Sequence, residues 1–599
     1  MATTLLDQDA AGEAVDDAPR ASGHLLGVSG AELCVLGIAL VLPIAFAVQD
    51  FTAFFMPKVA LLLLLVGPGL CVLGVACIRR DRAAWWAAGF LAVAAVSTAL
   101  SDVPLMSVFG SYAWGNGLIF AAALMGFWAL GRWLGPRARE LLVLVLLAGA
   151  LVNAAWAWLQ MSVDLGQPAF RPFLGRAMGL MGNPVQLGAL CAAAMWLAAG
   201  KTKDRLAPWL VGLAVLAGAV QLSGSRIALV AGGAAVLLAA VQAGRKRGAL
   251  LVAALAAGIL LSMLVPAPGG SSTQRVTGAT SSGLGPRVAL WRSAADGIAE
   301  KPLLGYGPGR FYVGATPHSN LETARYTGGD TLYADAHNFV VDYATTTGLL
   351  GLIALGGFLI VAGRRARGPL VGFVIVAAIT MLLQPQFVGL TPLVLLALGA
   401  SGPQLRLFAG PDGEVTPAGA RANVGRTVFV VLCGLTALVG AVAAYRGVSG
   451  DASFKQGITN RKLAPINRAD DLLPRWPDIP AQRGSLYATQ RFITGDKAYE
   501  VLAENNARDA MQRDPADPQW TFQVGNLEEA SHRYANAQRY YERALKLNPW
   551  SVNALSGAYR IAVRQHDDAG SLHYRSKLCE IGKSSCPPPP AKYRASLGL

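Results

Sequence analysis

One polar stretch, from Gly285 to Gly351, holds Arg287, Trp291, Arg310, Asp335, His337 and Asn338. It opens GPRVALWRSAADGIAEKPLLGYGPGRFYVG and closes DAHNFVVDYATTTGLLGL. An imidazole titrates near neutrality, so it can take the proton of a hydroxyl. A guanidinium stays charged and grips a phosphate through two parallel N–H groups. Together these types suit transfer from a phosphate leaving group to a hydroxyl. Taken singly they suggest less. A histidine where a loop meets a span is more often a cap or an interface residue, and loop arginines are usually solvated. Arg310 reads as such a loop arginine, and Gly305-Tyr306-Gly307-Pro308-Gly309 follows no strand and reads as a turn. Two further arginines lie in other loops. Arg226, in QLSGSRI, leads directly into an apolar run, where an arginine costs roughly 3 kcal/mol on insertion scales and usually has a partner or ligand. Arg176 lies in SVDLGQPAFRPFLGRAMGLMGNP. No Cys/His group has metal-ligand spacing, and the Asp7-Gln8-Asp9 triplet reads as solvated charge.

The elements that must hold these residues are membrane helices. The chain of 599 residues is 53% hydrophobic and 15% charged, well below the charge of soluble domains. Val59 to Ile78, Gly248 to Pro266 and Thr427 to Tyr445 carry no charge, long enough as helix to cross ~30 Å of hydrocarbon. The alternation of a β-barrel is missing. The fold class is therefore all-α: a polytopic membrane protein of about 12–13 transmembrane helices with a soluble helical-repeat domain behind it. Thirteen spans are expected, at roughly 31–48, 58–78, 84–101, 116–134, 141–161, 184–200, 207–222, 226–243, 248–266, 338–362, 369–384, 387–405 and 427–445. The net charge of +15 does not indicate nucleic acid, because Lys and Arg sit in short clusters between spans.

Those clusters alternate. Eighteen basic residues fall in one set of loops, three per loop from Arg79/Arg80/Arg82 to Arg406/Arg421/Arg426, against four in the other set. The first set is then cytoplasmic. The N-terminus is expected inside, the 267–337 loop outside, and the tail after Tyr445 outside too. Pro385 and Pro392 weaken spans 369–384 and 387–405; one span plus a re-entrant segment there would move the tail to the other side. The expected organisation is an acidic disordered tail at 1–29, a transmembrane unit at 30–405, a cytoplasmic linker at 406–426, one more span at 427–445, a linker at 446–480, a helical domain at 481–580 and a Pro-rich end at 581–599. Within the helical domain, ADPQWTFQVGNLEEASHRYANAQRYYERALKLNP ends in Asn-Pro 34 residues after a similar MQRDP, which resembles a tetratricopeptide repeat. On the outer side of the membrane, Cys579 and Cys586 would form a disulfide.

LSGSRIALV, GRAMGLMGNP, GPRVALWRSAADGIAEKPLLGYGPGRF and AHNFVVDYATTTGLLGL resemble, in pattern and spacing, the O-antigen ligase / Wzy polymerase family of bacterial membrane glycosyltransferases. DVPLMSVFGSYAWGNGL is similar to that family's first outer loop, and the resemblance spans roughly 30–405. It implies an inverting, metal-independent transfer from an undecaprenyl-diphosphate-linked glycan to an acceptor hydroxyl outside the bacterial cytoplasmic membrane, with no cofactor. By motif, His337 would be the general base. Arg226 and Arg287 would bind the diphosphate, with Arg176 a third candidate and Trp291, Asn338 and Asp335 in support. NPV at 183–185 departs from the family pattern, which often has a second Asn. The acceptor could be a glycan, lipid A–core or a protein, making the chain a ligase, a Wzy-type polymerase or a protein O-oligosaccharyltransferase, and the tail could bind a protein partner. From a different class, a polysaccharide transporter or flippase would carry its charges along a path through the membrane; here they collect on one face.

Overall fold

The computed structural model describes residues 27–112, 115–265, 284–407 and 420–589. Most of the acidic tail, much of the 267–337 loop before Leu284, most of the 406–426 linker and the Pro-rich end from 590 lie outside the described residues. Among the described residues there is no strand, and each of the thirteen apolar segments contains helix. Six helices are long and apolar enough to cross a membrane: Met56–Ile78, Pro136–Ser162, Arg226–Ala243, Arg245–Met263, Gly348–Arg365 and the span within Ala420–Asn460. The fold is an all-α, multi-pass membrane protein.

Three of the expected spans depart from a simple helix, in two departures that both shape the polar stretch. The expected 338–362 span is two helices, Phe339–Thr346 and Gly348–Arg365. The break falls at Gly348, whose φ of +68° suits glycine, and a Cβ there would lie 2.3 Å from the carbonyl carbon of Leu303. Residues 302–309 wedge into that break. Tyr306 and Gly307 donate backbone N–H to Thr345 and Thr346 O at 3.1 and 2.8 Å, and Ser97 Oγ donates to Leu304 O at 2.6 Å. The glycine run is a turn, with positive φ at Gly305, Gly307 and Gly309.

The second departure is the pair Leu370–Met381 and Thr391–Ala400, 12 and 10 residues long. At 1.5 Å per residue neither spans the hydrocarbon alone. Their far ends meet: Arg367 N–H donates to Ser401 O at 2.8 Å. The pair leaves and returns on one face. Between the two helices, the 382–390 turn packs against the bundle through buried Gln384, Val388 and Leu390, while Leu382 is exposed.

The tail folds back on the loops. The last span does not stop at Tyr445; its helix runs on to Asn460 and is followed by Leu463–Leu472. The stretch expected as a linker at 446–480 is therefore largely helical. It is ordered by burial: Phe454, Ile466, Ala469, Leu473 and Trp476 pack with Met56, Met106 and Tyr112. Beyond it, the helices from Asp478 to Ile581 each pack on the next. Tyr541 fills the gap between Gly525 and Gly557, where a Cβ would come within 2.8 Å of its ring. Cys579 and Cys586 are joined in a disulfide.

Contacts with three loops fix this tail on the face that carries the polar stretch. Asp451 accepts from Thr52 N at 2.8 Å and from Tyr112 OH. Trp476 Nε1–H donates to Gly110 O at 3.0 Å. Asn548 Nδ2 donates to Gly329 O at 2.8 Å, and Ser551 Oγ to Asp330 Oδ1 at 2.6 Å. Arg310 is not a solvated loop arginine. It is completely buried, paired with Asp102 Oδ2 at 2.6 Å and Asp514 Oδ1 at 2.9 Å. Its partners lie 208 and 204 residues away in sequence, so local composition could not reveal them.

At the same junction Asp50 is buried, and neither carboxylate oxygen has a hydrogen-bond partner among the described residues. Burial, reinforced by the negative Asp451, pushes its carboxyl up to about 7. An acid whose folded value is raised holds more protons folded than unfolded, so stability falls as pH rises from about 4 towards 7. Asp50→Asn should therefore raise the Tm at pH 8 more than at pH 5. The expected difference is about 2–3 kcal/mol by the linkage relation. Thermal unfolding at both pH values checks it; an equal effect at the two would contradict a buried, titrating Asp50.

Candidate functional site

His337 sits at the junction between loop and span, with a left-handed backbone at φ +54°. That region is uncommon for a histidine, so its neighbours must hold it. On one side Asp335 Oδ1 accepts the His337 N–H at 2.7 Å, and Trp291 Nε1–H donates to Ala336 O at 2.9 Å. On the other, Asn338 caps the helix Phe339–Thr346, its Oδ1 accepting from Val340 N at 2.9 Å and Val341 N at 3.3 Å. Asp335, Trp291 and Asn338 thus fix the backbone of His337 from both directions.

The ring is held as well. Its Nδ1 lies 3.0 Å from Asp335 Oδ1. The contact is close but poorly aligned, since Nδ1 completes no hydrogen bond among the described residues. Tyr333 meets the ring edge-on at 5.9 Å. Nδ1 is buried while the side chain is 31% exposed, so the exposure belongs to the rest of the residue.

Arg287 and Trp291 are four residues apart on the helix Gly285–Glu300 and share a face. Half-buried Arg287 therefore lies one turn from the tryptophan that braces Ala336. Burial lowers its affinity for a proton, opposed by Asp335 and Tyr333. A guanidinium remains charged through such a shift. No described carboxylate comes within ion-pairing distance of it, which leaves its charge for another anion.

Arg176 and Arg226 form a second group. Arg176 Nε donates to Ser223 O at 2.7 Å, so its side chain lies along the turn Ser223-Gly224-Ser225. Arg226 opens the helix Arg226–Ala243 directly after that turn.

The segment Gln384-Pro385-Gln386 touches both groups. Gln384 Nε2 donates to Ser225 Oγ at 2.9 Å, and Tyr343 OH donates to Gln386 Oε1 at 3.0 Å. Pro385 and Gln386 line a narrow pocket with Asn116, Asp335, Asn338 and Asp342, its remaining walls largely apolar. Asp342 Oδ1 and Asn116 Oδ1 are buried there without a hydrogen-bond partner among the described residues. The four polar side chains at 116, 342, 384 and 386 were not singled out from sequence. Asp342 had a signal: a carboxylate one turn after Asn338 in an apolar run is costly in a membrane helix. Gln384 and Gln386 drew notice only through the intervening proline.

The arrangement combines a fixed imidazole, a half-buried guanidinium and two more arginines at a neighbouring turn, all close to the ends of membrane helices. Residues 211–356 match the family model described as O-antigen ligase. Over those residues the chain is similar to the O-antigen ligase family. The match begins in the helix before Ser223 and ends in the helix after the Gly348 break, so it takes in Arg226, Arg287, Trp291, Asp335, His337 and Asn338. Arg176, the Gln384–Gln386 segment and the whole tail lie outside it. No curated protein matches the chain. At family level, an O-antigen ligase domain means a membrane glycosyltransferase acting on a lipid-linked glycan in the bilayer.

Proposed function

We propose that this protein transfers a glycan from undecaprenyl diphosphate to an acceptor hydroxyl on the outer face of the bacterial inner membrane. The observation that carries the reading is the fixing of His337 on both sides, with Asp335 against its inner nitrogen and Arg287 one helical turn from its brace. His337 takes the acceptor proton as the acceptor oxygen attacks the anomeric carbon. The bond from that carbon to the diphosphate oxygen breaks, and the configuration inverts. The diphosphate leaves with the bonding pair, its charge met by Arg287 and Arg226, with Arg176 in support. Preorganised cations of this kind stabilise a developing anion without a metal. The basic-loop asymmetry supports an outward-facing site, a cytoplasmic N-terminus and a periplasmic tail. The Cys579–Cys586 disulfide fits an oxidising compartment. The tail, read as tetratricopeptide-like, offers a surface for a protein partner.

A ligase moves a finished chain to a new acceptor such as lipid A–core, a polymerase joins lipid-linked units, and a protein O-oligosaccharyltransferase glycosylates a polypeptide; these share the chemistry and differ in acceptor. Arg226→Ala and Arg287→Ala, in protein reconstituted with a lipid-linked glycan, should each lower transfer about 100-fold or more, the usual size for losing one charge-stabilising group. Arg226→Lys should recover part of the rate, since it keeps the charge and loses the fork. If folded, inserted Arg226→Ala and Arg287→Ala proteins both transfer glycan at the normal rate, the diphosphate role is wrong.

A further inference from the structure

The chain that leads into His337 leans on the tail. From Asp330 to Asp335 no backbone–backbone hydrogen bond holds it among the described residues. Where the backbone makes no ladder, anchors at the ends decide where a segment lies. The end next to His337 is fixed by Asn116, whose Nδ2 donates to Ala334 O at 2.9 Å, and by Trp291 on Ala336. The other end is fixed by the tail.

That contact is close and polar. Asn548 is buried in the turn between the helices Tyr534–Leu547 and Val552–Arg564. Its Oδ1 accepts Trp550 N–H at 3.2 Å within the turn, while its Nδ2 donates to Gly329 O at 2.8 Å. Gly329 has a φ of +87°, and a Cβ there would lie 2.2 Å from Trp550 O, so glycine is needed for the two backbones to meet. Asp330 accepts from Ser551 Oγ at 2.6 Å and from Asn553 N at 3.2 Å. It thus sits at the N-terminus of Val552–Arg564, where a carboxylate is favoured. Just before it, Leu321 and Ala324 pack with Leu555 and Leu578, and Arg325 Nε donates to Glu580 O at 2.8 Å. Four residues separate Asp330 from Asp335, too short a length to absorb slack. One of them, Tyr333, meets the His337 ring edge-on. The tail groups in this joint all lie outside the matched residues 211–356.

We infer that the turn from Asn548 to Ser551 is a positioning element for transfer. Asn548 and Asp330 are its positioning residues: they join the tail to the loop and so keep the His337 imidazole against the acceptor hydroxyl. This rests on the role proposed above for His337 and adds the tail to the machinery that the reaction needs.

Two variants break the joint from its two sides. Asp330 is exposed, so Asp330→Ala removes the contact with Ser551 and Asn553 without opening a core. Asn548→Asp keeps the acceptor for Trp550 N–H and replaces the donor to Gly329 O by a second acceptor. In the full chain reconstituted with a lipid-linked glycan, each should lower kcat about tenfold and leave the donor KM unchanged, since a small misplacement of a catalytic group costs rate. Asp330→Asn still offers an oxygen to Ser551 and Asn553 and should recover most of the loss. With His337→Asn already in place, Asp330→Ala should cost nothing further, because its effect runs through the imidazole. Amide hydrogen exchange supplies a readout without turnover: residues 331–337 should exchange about tenfold faster in Asp330→Ala and Asn548→Asp, with the membrane helices unchanged. A tenfold loss that persists in the His337→Asn background, a raised donor KM with kcat intact, or unchanged exchange at 331–337 would each overturn the inference. Faster exchange in the variants of a protein whose wild type transfers nothing would overturn the proposed reaction and leave the brace standing.

Discussion

His337→Asn should lower glycan transfer by about 10²–10⁴-fold, the usual range for loss of a positioned general base. Asparagine is the sharper choice than alanine. His337 has a φ of +54°, a region that asparagine tolerates better than most residues. The variant then removes the imidazole and keeps the backbone that Asp335, Trp291 and Asn338 hold. Its thermal unfolding should match wild type, and its lipid-linked donor should remain undischarged. His337→Ala should lose as much activity and also some stability. A His337→Asn protein that folds, inserts and transfers at a normal rate would remove the base from the mechanism, whatever the arginines do.

Arg310→Ala should be the most destabilising single change at the junction between loop and tail, by about 3–5 kcal/mol, the usual cost of leaving a buried charge without its partner. Arg310 is fully buried, and one guanidinium serves both Asp102 and Asp514. Tyr312 hydrogen-bonds both Arg310 and Asp514, so the loss leaves a hydroxyl and two carboxylates facing one another. Arg310→Lys should rescue little, because a single ammonium cannot reproduce the fork that reaches both acids. Limited proteolysis reads the effect directly: the tail after Trp476 should become cleavable while the membrane helices stay protected. A tail that resists protease as well as wild type would mean that the Asp330–Ser551, Gly329–Asn548 and Asp451–Thr52 contacts hold it without Arg310.

The contrast between His337 and Arg310 shows where sequence reading reaches and where it stops. His337 stood out through its motif and its company of arginines, and most of what holds its backbone lies beside it in sequence. Asp335, Ala336 and Asn338 make the turn and the cap, and Trp291 follows Arg287 at helical spacing. Arg310 has the same residue type as Arg287 and sits 23 positions further on, yet its partners come from a distant loop and from the tail. Residue type and local spacing carry no information about such partners. The same limit hid Gln384 and Gln386, which matter only because the pair of short helices returns at Ser401 and brings their turn against Ser225 and Tyr343.

By itself the sequence determined that this is an all-α membrane protein with an O-antigen ligase-like polar stretch. Long uncharged runs have one way to satisfy their backbone in lipid, and basic loops sort to one side, so composition and order suffice. Tertiary structure decided the rest. The single span expected at 338–362 is split at Gly348 because the 302–309 turn needs the space. The 446–480 stretch is helical because Phe454, Ile466 and Trp476 find apolar partners on Met56, Met106 and Tyr112. And the Gln384–Gln386 segment bonds Ser225, in the turn before Arg226, on one side and Tyr343, in the polar stretch, on the other. Those contacts depend on burial and on hydrogen bonds between residues far apart in the chain, which only the folded bundle creates.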